Sequence, residues 1–221
     1  NFYWFDNKKH KEVKQKFVRL PLVSANRLLV PRKVKIKGKL KLLITIGQWQ
    51  PDDDPFLLEH IVRIATVDNC EVTVLTTNGI NREVRKSLRG LSAVYSVTHK
   101  QLSYYAHLGH EATKYDLVFI TDTRYACGGK LSLVYPSCTP IVAYRIPPVT
   151  SYVHNLSTGY LLNCGLDTTG QPVGKVYDST HTQHLIKLIA QRDLSILSKN
   201  IHSTYVSMQK TFQEILNAIL T

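Results

Sequence analysis

The residues best suited to chemistry lie between Arg124 and Val134. Gly128 and Gly129 stand directly before Lys130. Backbone amides beside an ammonium group suit a phosphate. The full G-x4-G-K-[ST] phosphate loop is not formed, because Leu131 follows Lys130 and the first glycine is missing. His60, His99, His107 and His110 could serve as bases or ligands. His107 and His110 stand three apart on an expected helix, a spacing that can hold a metal, but Glu111 falls on another face. They therefore read as helix-surface histidines. Asp52, Asp53 and Asp54 could hold Mg²⁺. Ahead of an expected helix they read instead as complements to its positive end. Cys70, Cys127, Cys138 and Cys164 form no C-x2-C pair. Four reduced, mostly buried thiols in a cytosolic protein are expected, and no metal site. Asn155-Leu156-Ser157 is a glycosylation sequon, which counts only in a secreted chain.

The second chemical feature is charge. The net charge is +12, and residues 1–41 hold 13 of the 28 Lys/Arg against two acids. The rest of the chain is close to neutral. Lys8, Lys9 and Lys11 form one run, and Lys33, Lys35 and Lys37 belong to a second that alternates basic and apolar residues from Arg32 to Lys41. Period-two alternation reads as an exposed strand or extended arm with one basic face. Such a face could hold RNA, a ribonucleoprotein or an anionic membrane surface through phosphates. Phe2, Tyr3, Trp4 and Phe5 could stack on bases or sit at a membrane interface. A solvated basic flank, with those aromatics covering a neighbouring domain, is the plainer alternative.

The elements that must position these residues can be read along the chain. With 221 residues, 43% hydrophobic and 20% charged, the composition is that of an ordered globular domain and argues against disorder. No run of 18 apolar residues or signal peptide is present, so a cytoplasmic chain, peripheral to a membrane at most, is expected. The chain opens on Asn1 and its only methionine is Met208, which suggests a piece of a longer product or a processed chain. Short apolar runs predict strands at 42–46, 72–75, 93–97, 116–120, 141–144 and 160–162. Helical spacing predicts helices at 55–66, 81–88, 100–112, 130–135, 181–191 and 200–220. The segments 145–158 and 165–176 read as irregular. Alternating strands and helices imply a doubly wound, Rossmann-like parallel sheet in an α/β domain. Ligands would bind at its carboxyl edge, at the loops 47–54, 76–80, 98–101 and 121–130. The expected organisation is a basic arm over 1–41, the Rossmann-like body over 42–195 and a terminal helix over 196–221.

Several landmarks in this order resemble a known family. Ile44-Thr45-Ile46-Gly47-Gln48-Trp49-Gln50-Pro51 is similar to a first-strand motif, closest to I-G-Q-F-R-P. Thr123-Arg124-Tyr125 resembles an S-R-x that leads into an E-G-F-G loop. Ser137-Cys138-Thr139-Pro140-Ile141-Val142 resembles A-C-G-T-P-V-V with one residue missing. Ser157-Thr158-Gly159-Tyr160-Leu161-Leu162 resembles a later T-G-x-L-V. Together they resemble the C-terminal, nucleotide-sugar-binding half of GT-B glycosyltransferases of family 4, the first motif being closest to dolichol-linked mannosyltransferases of the endoplasmic reticulum. The resemblance implies a donor site at Gly47, Gln48, Gln50, Thr98, Arg124, Tyr125, Ala126, Cys127, Gly128, Gly129, Lys130 and Val134. It implies a UDP- or GDP-sugar as donor, no resident cofactor, and an acceptor domain supplied by preceding residues or another chain. In that family the last helix crosses to the N-terminal half, so Phe212, Ile215 and Ile219 should be exposed or covered by residues 1–30.

The sequence departs from that pattern where the chemistry is concentrated. The expected arginine is Gln50, and the lysine after it falls among Asp52, Asp53 and Asp54, which repel a diphosphate. The two glutamates of E-x7-E are Ala126 and Val134, and the chain holds no glutamate between Glu111 and Glu214. Methyl groups cannot bind a ribose hydroxyl or stabilise a developing sugar cation. Each lost transition-state donor costs on the order of 10²–10³ in rate. A degenerate donor site, with weak or lost hexosyltransferase activity, is the resulting expectation. A non-enzymatic binding protein that works through the basic arm is the alternative.

Overall fold

A computed structural model describes residues 31, 34, 36, 38–46, 57–77, 82–95, 97–102, 107–121, 128–146, 149–163, 165–166, 172–173 and 179–220. The arm lysines Lys8, Lys9, Lys11, Lys33, Lys35 and Lys37 lie outside the described residues, as do Gly47, Gln48, Gln50 and the stretch from Arg124 to Cys127.

Six strands form one sheet: β1 (Leu40–Ile46), β2 (Cys70–Thr77), β3 (Val97–Leu102), β4 (Leu117–Ile120), β5 (Ile141–Tyr144) and β6 (Gly159–Leu162). Their order is β3-β2-β1-β4-β5-β6, and every pairing is parallel. The chain first runs outward from β1 to β3, then returns to β4 and continues to β6. Right-handed crossovers therefore place the connecting helices on both faces. Helices α1 (Leu57–Ala65), α2 (Arg82–Val94) and α5 (Ser179–Ile189) share one layer. Helices α3 (Leu108–Ala112) and α4 (Gly128–Val134) touch in the other. Both faces are covered, which is why β4 and β5 are buried at every position and β1 everywhere but Lys41. The doubly wound α/β fold expected from the sequence is present.

Local sequence explains most elements. Leu57, His60, Ile61 and Ile64 repeat at helical spacing and are the buried residues of α1. That stripe meets α5, where Gln183 Nε2 donates to Thr66 Oγ1 at 2.9 Å and His60 Nδ1 lies 3.5 Å from Thr182 Oγ1. Asp116 holds the amino end of β1 in register: its carboxylate accepts from the Lys41 amide at 2.9 Å and its own amide donates to Lys41 O.

Two expectations are corrected. The apolar run 93–97 is not the third strand. Ala93 and Val94 end α2, because Leu88, Leu91 and Tyr95 continue one helical stripe, while Val94 faces solvent at 75% exposure. The third strand is Val97–Leu102, so Lys100 belongs to a strand and not to the start of a helix. The last helix, α6 (Ser195–Leu220), starts five residues earlier than expected, where the Asp193 carboxylate accepts from the Ser195 amide at 2.9 Å. The segment 165–176 also contains an antiparallel pair, β7 (Gly165–Leu166) with β8 (Pro172–Val173).

The alternating run near residue 34 turns its apolar members inward. Val34 is buried and Ile36 packs partly on the core. The Val34 amide donates to Ser195 Oγ at 2.9 Å, and the Leu194 amide donates to Val34 O at 3.1 Å. The first half of α6 buries Leu197, Ser198, Ile201 and Tyr205, whereas Phe212, Ile215 and Leu216 farther along are half-buried.

Candidate functional site

The carboxyl edge of the sheet is organised by two threonines. Thr45 Oγ1 donates to Phe119 O at 3.3 Å, and Thr121 Oγ1 donates to Thr45 O at 2.9 Å. Both hydroxyls are buried, so the ends of β1 and β4 are tied together where neighbouring loops leave the sheet. The strand order reverses at the β1–β4 junction, the place where open α/β sheets bind ligands.

The chain re-enters described structure at Gly128, the start of α4. A Cβ added at Gly129 would meet no atom of the described residues within 4 Å. Packing therefore does not require glycine at this position. Lys130 is buried, with 5% of its surface exposed, and engages groups of the chain itself. Ser132 Oγ closes the first turn by donating to Gly129 O at 2.8 Å. Val134 ends α4 fully buried in the hydrophobic core. At that position the chain offers methyl packing and no hydrogen-bonding group. The helix runs on into a 3₁₀ turn, Tyr135–Ser137, that ends at Cys138 in the left-handed conformation, φ 55°.

Gly128, Gly129, Lys130 and Val134 thus come together on α4 beside β4. Thr98 does not join them. It pairs with Thr73 in the amino half of β3 and, with Lys39, Cys70, Glu71, Ser92, Tyr95 and Val97, lines an open cavity of about 420 Å³ at the opposite end of the sheet. Its expected place on a loop followed from ending the third strand five residues too early. Within that cavity, burial and then the Glu71 charge push the Cys70 thiol up to about 12, so it stays protonated and unreactive. Cys138 is buried as well.

One charged cluster beside the carboxyl half of β3 went unread in the sequence. Glu111 of α3, a nearly buried carboxylate, accepts from Lys100 Nζ and from Lys114 Nζ at 2.7 Å. Tyr115 OH donates to it at 3.4 Å. Burial pushes the Glu111 carboxyl up, but the hydrogen bonds and charges of Lys100 and Lys114 outweigh this and hold it below its usual range. A depressed carboxylate pKa stabilises the fold above the unfolded value, and that stabilisation is lost as pH falls through the folded value. Glu111→Gln is expected to cost about 1–2 kcal/mol at neutral pH. In urea unfolding the gap between variant and parent should close as pH falls through the folded value, once the carboxylate is protonated in both states of the parent. A gap that is constant with pH would contradict this assignment. The signal available in the sequence was Lys-x10-Glu-x2-Lys around an amphipathic segment, which has no period of its own.

Histidines His107 and His110 are exposed. Among the described residues no three His, Cys, Asp or Glu side chains gather at a metal-binding distance, and no helix is long and apolar enough to cross a membrane.

No family model matches the sequence, and no curated protein matches it. Solved structures do match. Pneumococcal O-GlcNAc transferase GtfA, solved with UDP and GlcNAc, aligns at TM-score 0.60 and 14% identity over 94% of this chain and 42% of its own. Anabaena HepE, solved with UDP, aligns at TM-score 0.59 and 12% identity over 82% of this chain and 49% of its own. A TarM variant from S. aureus, solved with fondaparinux, alpha-GlcNAc-glycerol and UDP, aligns at TM-score 0.58 and 11% identity over 91% of this chain and 38% of its own. The chain spans less than half the length of each of these proteins. Identities this low carry the fold alone, and the fold they carry is GT-B glycosyltransferase-like.

Proposed function

We propose that this chain is the C-terminal, nucleotide-sugar half of a GT-B glycosyltransferase-like protein whose donor site is weakened. The observation that carries the reading is Val134, a fully buried core residue at the position where the family pattern needs a carboxylate. The donor is assigned to the junction of β1, β4 and α4, because open α/β sheets bind ligands where the strand order reverses. The chemistry that would fix its ribose and stabilise the departing diphosphate is reduced to Gly128, Gly129 and the edge of Lys130. UDP in the aligned solved proteins supports a nucleotide diphosphate as the ligand class. Gly47, Gln48, Gln50, Arg124, Tyr125, Ala126 and Cys127 complete the proposed site from the adjoining loops.

Calorimetric titration with UDP, GDP and their sugar conjugates tests this reading. The expected result is binding tighter than about 1 mM, roughly 4 kcal/mol, with one base preferred. Gly129→Val should fold normally, since the space is open, and should weaken that binding about tenfold by occupying it. Absence of heat with every nucleotide overturns the proposal.

The charge partition favours a second reading, in which Lys8, Lys9, Lys11, Lys33, Lys35 and Lys37 grip RNA or an anionic membrane. Such binding falls steeply with salt and weakens strongly when Lys8, Lys9, Lys11 and Lys33 are removed with the residues around them. Removal should stop before Val34, which is part of the core. Nucleotide binding is expected to survive that deletion.

A further inference from the structure

Helix α2 carries Arg82, Arg85, Lys86 and Arg89 against one acid, Glu83. Arg82, Arg85 and Arg89 recur at positions i, i+3 and i+7 and so share one helix face. Leu88 and Leu91 anchor the helix on the core, and its long side lies along β3, the edge strand of the sheet. His99 lies on β3, the strand that α2 packs against, and its Nε2 is 2.9 Å from Thr76 Oγ1 on β2.

Two features of this cluster lack a counterpart among the described residues. Arg85 Nε is buried and has no hydrogen-bond partner. Among the described residues, no carboxylate forms an ion pair with Arg85 or Arg89, and Glu111 is committed to Lys100 and Lys114. Cationic groups four residues apart on a helix repel one another, and a buried donor without an acceptor is destabilising. One external oxyanion answers both. Guanidinium forks match tetrahedral phosphate oxygens and hold them in bidentate fashion.

We propose that Arg85 and Arg89 of α2, together with His99 of β3, form a binding site for a phosphate group at the β3 edge of the sheet. This site is separate from the β1–β4 junction and does not depend on the donor reading. Burial, followed by the charges of Arg85 and Arg89, holds His99 below its usual pKa. Among the described residues, the charges acting on its ring are those of the two arginines on α2, and its hydrogen-bond partner is the neutral Thr76 on β2. A bound phosphate would cancel the arginine charge and let His99 protonate more readily, which makes its ring a reporter.

The test follows the His99 ring protons by NMR in the whole chain, at constant ionic strength, while chloride is exchanged for inorganic phosphate. The expected result is a saturable shift of the His99 signal and a titration moved to higher pH. Arg85→Gln with Arg89→Gln should weaken the phosphate response about tenfold or more. Lys33→Gln with Lys35→Gln and Lys37→Gln should leave it unchanged. A parallel arm uses phosphatidylcholine vesicles with and without phosphatidic acid. An arginine-dependent His99 response to those vesicles and none to free phosphate assigns the site to a lipid headgroup. A response to free phosphate assigns it to a soluble phosphate. No His99 response in the parent chain to either probe overturns the proposal, whether or not the arginine variant folds. An undiminished response in the folded arginine variant overturns it too.

Discussion

Gly159→Ala is expected to cost about 3 kcal/mol or more, the steric cost of forcing a methyl into a filled space. Gly159 opens β6 and pairs with Ile141 of β5. A Cβ built on it overlaps the Ile141 carbonyl oxygen and lies 2.9 Å from Val153 Cγ1. The side-chain contact could relax, but the carbonyl is part of the β5 backbone and cannot move without disturbing a strand buried at every position. The turn before it is equally committed. The Leu156 amide donates to Gly159 O at 2.8 Å, and the Leu161 amide donates to Asn155 Oδ1 at 3.0 Å. Glycine in the Thr158-Gly159 pair is thus required by close backbone approach. Urea unfolding should show a lower midpoint at unchanged slope. A variant as stable as the parent would mean that β5 and β6 do not pair as described.

Tyr205→Ala is expected to cost about 3–5 kcal/mol, the usual range for emptying an aromatic site in a core. Tyr205 is fully buried on α6, with its ring centroid 6.3 Å from that of Tyr135. Tyr135 follows α4 directly, and its hydroxyl donates to Tyr152 O. Burial pushes the Tyr135 hydroxyl up to about 12, so it remains a donor at any working pH. The two rings therefore join the terminal helix to the segment that carries Gly128 to Val134. Tyr205→Phe keeps the ring and should cost only about 1 kcal/mol, the worth of one hydroxyl hydrogen bond. If both variants lost the same stability, the ring packing would not be what matters. Thermal unfolding of the pair makes the comparison.

The strands legible in the sequence were those with both faces covered. Leu42–Ile46, Leu117–Ile120 and Ile141–Tyr144 are continuous apolar runs, because helices cover each face of the sheet. The α2–β3 boundary was not legible. Ala93-Val94-Tyr95 has the composition of a strand, yet a helical stripe carries through Tyr95, and β3 is an edge strand whose His99, Lys100 and Gln101 weaken its apolar signal. The misplaced Thr98 followed from that one boundary.

By itself the sequence determined the alternation of strands and helices, the doubly wound class, the excess of charge in the first 41 residues and the absence of glutamate between Glu111 and Glu214. These are properties of residue type and local period. Tertiary structure alone decided which of those residues meet. It buried Lys130 and placed Val134 in the core, turned Thr98 to the far end of the sheet, stitched Val34 to Ser195, and packed α2, with Arg85 and Arg89, against the strand that carries His99. Each of these rests on contacts between residues distant in the chain, and local periodicity carries no information about which surfaces a crossover brings together.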